Sequence, residues 1–142
     1  MLSAIADEKI KVRKMNIKNW WKYSGILLII TAILHTLLAI TMMLKNGIFA
    51  EIVRNGVFNS IGADFKLGMA FWFFVCGIAL WIFGQVLHYY IKREQQPAPK
   101  FLGWFLLIFS IIGVCFVPLS GFWLFIPQGL IILVGQKSAK IP

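Results

Sequence analysis

A chain of 142 residues that is 60% hydrophobic and 13% charged, with a mean hydropathy of +0.83, is too apolar for a water-soluble domain of its length and reads as an integral membrane protein. Its formal charge of +9 would suggest nucleic acid for a soluble protein, but the Lys and Arg residues stand in short segments beside apolar runs, so the charge reads as membrane topology and nucleic acid is excluded. The cysteines, Cys76 and Cys115, lie inside apolar runs without CxxC spacing, which argues against a thiol redox motif or disulfide framework and leaves buried, inert thiols as the expectation.

Residues 1–22 form a basic cytoplasmic arm, with Lys9, Lys11, Arg13, Lys14, Lys18 and Lys22 set against Asp7 and Glu8. Two readings of the arm stand together: it sets topology, or it also associates with anionic headgroups. Trp20 and Trp21 sit where interfacial tryptophans are expected. The apolar run over 23–44 exceeds a secretory h-region and no small-x-small cleavage site follows it, so it is expected to stay as a membrane anchor.

The loop NGIFAEIVRNGVFNSIG, residues 46–62, carries Ile48, Phe49, Ile52 and Val53 at helical spacing with Glu51 and Arg54 on another face, which predicts a short amphipathic helix at the outer surface. Asn55-Gly56 should stop it, and the near copies NGIF and NGVF read as two helix-breaking turns. A second span is expected over 67–91, followed by a hydrophilic turn at Gln95-Gln96-Pro97-Ala98-Pro99-Lys100, where two prolines end the helix.

Residues 101–135 carry no charge and are interrupted at Pro118-Leu119-Ser120-Gly121, which predicts two short spans over 101–117 and 121–135, with a re-entrant hairpin as the alternative. The fold class is therefore all-α: an integral membrane four-helix bundle over 23–136 with a short amphipathic outer-loop helix and a cytoplasmic tail at 137–142. Basic residues in the arm, at Lys92, Arg93 and Lys100, and at Lys137 and Lys140 outnumber Lys45, Arg54 and Lys66, a bias that puts both termini in the cytoplasm.

Helices in lipid gain little by hiding apolar surface from each other, so small residues that permit close approach should mark their contacts. Gly25, Ala32 and Ala39 repeat every seven residues, as do Ala70, Gly77 and Gly84, and Gly103 with Ser110. That spacing predicts a left-handed seam where the first three spans meet backbone to backbone.

No Asp or Glu lies inside any span, which makes a carboxylate active site improbable and disfavours a small four-span proton-coupled drug exporter, since that kind depends on an embedded glutamate. HxxxH, HExxH, a Gly-rich phosphate loop and a Ser-His-Asp set are all missing, so no catalytic, cofactor or metal residues are assigned. A bis-histidine haem is disfavoured because His35 would lie about 18 Å and His88 about 5 Å from the same membrane edge. His88 then reads as an interfacial side chain with its polar tip among headgroups.

His35, inside ITAILHTLLA, should point into the bundle with Thr36. It is either part of a site, or a neutral imidazole bonded to Thr31 or to a polar group on another helix. At similar depth lie Trp72, Cys76, Ser110, Trp123 and Gln128, so His35, Thr31, Thr36 and these five make up a candidate ligand pocket for a small amphiphile or lipid headgroup, with Pro127 able to kink the last helix.

The pieces WWKYSGILL, LHT, NGVFNSIG, FWFFVCGIAL and PLSGFWLFIPQGL, in this order, resemble a family of small four-span bacterial integral membrane proteins, a domain of unknown function. The resemblance implies a bacterial inner-membrane location and four helices, and carries no activity. The leading expectation is a non-enzymatic multi-pass membrane protein that binds a small hydrophobic or lipid-like ligand or acts as an accessory subunit of a membrane-protein partner, with membrane lipids as its surroundings. A small transporter using the intramembrane His35 comes second, and a membrane isomerase or reductase third.

Overall fold

The computed structural model describes residues 19–139 apart from 57, 59, 60, 62, 63 and 119, with side chains as far as residue 135. The basic arm up to residue 18, the last three residues of the tail and part of the NGVFNSIG loop therefore lie outside the described residues. Among those described, the chain is all-helical, with no strand: α1 is Ser24–Lys45, α2 Ile48–Arg54, α3 Phe65–Glu94, α4 Lys100–Phe116 and α5 Phe125–Ala139. Short 3₁₀ turns precede α1 at Trp20–Tyr23 and α5 at Gly121–Leu124. Two helical stretches, Trp20–Lys45 and Phe65–Glu94, are long and apolar enough to cross a membrane, whereas Lys100–Phe116 and Gly121–Gly135 are apolar but shorter.

The helix limits have local causes. Asp64 caps α3, its Oδ1 accepting from the backbone N–H groups of Lys66 at 2.8 Å and Leu67 at 3.0 Å. Gly47 and Gly56 take left-handed backbone, with φ of 65° and 75°, on either side of α2, so both Asn-Gly pairs break the helix as the sequence predicts. Gln95 ends α3 at a φ of 51°, with its side chain donating to the Lys92 carbonyl at 2.7 Å.

The chain divides into two compact units, residues 28–84 and the remainder, and the divisions fall inside α1 and α3. In the unit of residues 28–84, Gly77 meets Thr36 and Gly84 meets Ile29. A step of seven along α3 is thus matched by a step of seven backwards along α1, which makes the pair antiparallel. Ala32 and Ala39 are fully buried in the same stripe, so small residues do mark the contact. Below it, Met43, Ile48 and Leu67 form a core closed by Ile52, Ile61, Ala70 and Phe74. The apolar side chains of α2 divide accordingly: Ile48 and Ile52 point into this core, whereas Phe49 and Val53 are exposed.

In the other unit α4 and α5 form an antiparallel hairpin. Gly103 lies against Leu133 and the Gly129 carbonyl, and Gly113 lies against the Phe122 ring. Gly103 thus takes its close contact from α5 and not from the seam of the first three spans expected from the sevenfold spacing. After α4 the last segment folds directly back onto that helix, whose small face it then occupies. In this unit the start of α1 also meets α3 where Gly25 abuts the His88 backbone, and meets α5 where Trp21 abuts Gly135.

Candidate functional site

His35 projects from the middle of α1 onto α3. Its Nε2–H donates to the Phe73 carbonyl at 3.0 Å, and its ring leans on the Phe73 ring at a centroid distance of 4.2 Å and a tilt of 46°. A carbonyl oxygen only accepts, so Nε2 carries the hydrogen. Phe73 stands four residues before Gly77, and in a helix the side chain at that position would stand beside the same carbonyl. A methyl group on Gly77 would come within 3.1 Å of His35 Cδ2 and would collide with Thr36 Oγ1. The missing side chain at Gly77 is thus what admits the imidazole to the second lone pair of the Phe73 oxygen.

Thr36 Oγ1 donates to the Ala32 carbonyl at 2.8 Å, one turn back along its own helix, and Thr31 is buried on the same helix. The expected pairing of His35 with a polar group on another helix is met by the α3 backbone. In this unit His35 and Thr36 come together around Gly77, whereas Trp72, 63% exposed, and Cys76 present exposed side chains on α3.

In the other unit each remaining candidate donates a hydrogen bond to a backbone carbonyl. Ser110 is fully buried and donates to the Phe122 carbonyl at 2.6 Å, joining α4 to the turn that precedes α5. Phe109 packs edge-on against Phe122 and Phe125, at 5.2 Å and 6.0 Å between centroids, around that bond. Gln128 is buried on α5 and its Nε2 donates to the Leu27 carbonyl of α1 at 3.4 Å. Trp123 is exposed, its Nε1–H spent on the Pro118 carbonyl at 2.8 Å.

One expectation changes. Cys76 and Cys115 are free thiols on exposed helix faces, not buried ones, because the buried stripes of α3 and α4 are taken by glycine, serine and leucine. His88 is half-buried, with its Nδ1 buried and without a hydrogen-bond partner among the described residues, beside the close approach of Gly25 to the His88 backbone. Among the described residues no group of three His, Cys, Asp or Glu side chains is placed to hold a metal ion.

Sequence reasoning missed the Phe73 and Phe122 carbonyls. Every residue carries such an acceptor, so only the glycines at 77 and 113, which open the space around them, offered a signal. No curated protein and no solved structure matches the chain. The model of a family of unknown function, DUF6463, matches residues 19–139, and the chain belongs to that family.

Proposed function

We propose that the chain is a small, non-enzymatic, multi-pass protein of a bacterial cell inner membrane that binds a small hydrophobic or lipid-like ligand or serves as an accessory subunit of a membrane complex. In this reading α1, α3, α4 and the Gly121–Ala139 segment are four spans of a helix bundle, α2 lies at the outer surface, and both termini are cytoplasmic. One observation carries it: the helices turn their apolar side chains outward and their polar ones inward. Ile30, Ile33, Leu34, Leu37 and Leu38 of α1 and Phe105, Ile108, Ile111 and Ile112 of α4 are exposed, while His35, Ser110 and Gln128 bond to backbone carbonyls of other segments. Water would penalise that arrangement and lipid would stabilise it. At about 1.5 Å per residue, α1 measures about 33 Å and α4 about 25 Å, so the hairpin suits a locally thinned bilayer.

The bonds that tie His35, Ser110 and Gln128 to backbone carbonyls support a binding or accessory role. A transporter is the second reading, favoured by the ionisable His35 in mid-helix. Alkaline carbonate extraction should leave the protein in the membrane pellet, and release into the supernatant would sink the membrane reading. Native mass spectrometry of the detergent-purified protein should show a retained lipid or a copurified subunit. Substrate flux in reconstituted vesicles that depends on His35 would instead select the transporter.

A further inference from the structure

Four contacts within the unit of residues up to 27 and from 85 onward bring the basic helix ends to one level. Gly25 abuts His88, so three residues back, into the 3₁₀ turn before α1, and three to four forward along α3 place Lys22 level with Ile91 and Lys92. Trp21 abuts Gly135 of α5. Gly103 lies between Gly129 and Leu133, so the start of α4 at Lys100 reaches the same level of α5 as Trp21. Lys22, Lys92, Arg93 and Lys100, all exposed, therefore lie at one end of this unit.

The chemistry of that end is selective. Glu94 is the one carboxylate there among the described residues, and it lies 3.7 Å from Arg93 Nε across solvent-exposed side chains. Arg93 is steadied by its Nη1, which donates to the Tyr89 hydroxyl at 3.2 Å, and the Lys22 ammonium sits 5.7 Å from the Trp21 ring centroid. Trp20, Tyr23, Tyr89 and Trp104 expose their rings at neighbouring positions, as side chains do at the boundary between hydrocarbon and headgroups. A basic end bordered by interfacial aromatics is suited to a ligand with a phosphate at one end and acyl chains at the other.

We propose that this end is a binding site for the phosphate of anionic phospholipids, with Lys22, Lys92, Arg93 and Lys100 holding the headgroup and the aromatic rings placing it at the right depth. The proposal rests on the membrane reading above. It goes further by naming the ligand class and the residues.

The test is native mass spectrometry of the full chain, purified in neutral detergent and titrated with phosphatidylglycerol or with phosphatidylcholine of the same chain length. Phosphatidylglycerol should be retained severalfold over phosphatidylcholine. A Lys22→Gln/Arg93→Gln variant that keeps its melting temperature should lose most of that preference. A Lys45→Gln/Arg54→Gln control, altering cations at the other end of α1 and on α2, should keep it. Equal retention of the two lipids, an undiminished preference in the first variant, or an equal loss in the control would each overturn the proposal. So would inorganic phosphate displacing phosphatidylglycerol at comparable concentration, since the site would then take a free anion. Retention of lipid without headgroup preference defeats this inference alone, whereas release by carbonate defeats the membrane reading beneath it.

Discussion

Gly77 decides how near His35 can come to α3, and the two residues should fail together. Gly77→Ala places a methyl group against Thr36 Oγ1 and the imidazole, so α1 must shift and the bond to Phe73 breaks. Overpacking of this kind costs about 1–3 kcal/mol, which thermal unfolding of the purified protein will read as a lower midpoint. His35→Ala in the native background should cost less, about 0.6 kcal/mol, as interhelical hydrogen bonds in membranes average. A Gly77→Ala protein as stable as the original would refute the close approach. Gly25 makes a sharper comparison: its methyl group would stand 2.5 Å from backbone atoms of His88, which no rotamer change relieves, whereas nothing lies within 4 Å of one on Gly121. Gly25→Ala should therefore reduce yield and melting temperature, and Gly121→Ala should do neither.

The helix elements depend on a few capping and cross-linking groups whose removal has a computable direction. Asp64→Ala leaves two N–H groups at the start of α3 without their acceptor and should cost about 1 kcal/mol, while Asp64→Asn should restore most of it. Equal melting temperatures for the two variants would show that the cap contributes nothing. In the α4–α5 hairpin, Ser110→Ala removes the donor to the Phe122 carbonyl and should destabilise by about 1–3 kcal/mol, the penalty for a buried acceptor that loses its partner. Gly113→Ala strikes the Phe122 ring itself, so hydrogen exchange over residues 117–124 should rise in both variants and remain unchanged in Asp64→Ala.

At the scale of the whole molecule, the four-span reading and the re-entrant alternative separate by labelling. In a background with Cys76 and Cys115 replaced by Ser, Asn55→Cys and Ser120→Cys should both react with an impermeant maleimide added to intact cells. Gln96→Cys should react only after permeabilisation. A re-entrant last segment would leave Ser120→Cys unlabelled from outside. Both native thiols are exposed on helix faces, so their replacement should leave folding intact. The bias of Lys and Arg toward the arm, the 92–100 turn and the tail predicts the same orientation by an independent route.

Composition and period were enough to establish from sequence that the chain is helical, where its apolar helices lie, that two Asn-Gly pairs would bracket α2, and that small residues seven apart would mark close helix contacts. These are properties of local backbone preference and of side-chain volume, which a linear string records directly. Membership of its family was likewise legible in the order of its fragments. The partners were not legible. Equal spacing of small residues on α1, α3 and α4 says that each has a face for close approach, yet only tertiary structure decides that Gly77 meets Thr36 while Gly103 meets α5. His35 could be placed in mid-helix by counting, but its acceptor is a backbone carbonyl, a group every residue carries, and space alone selected the one at Phe73.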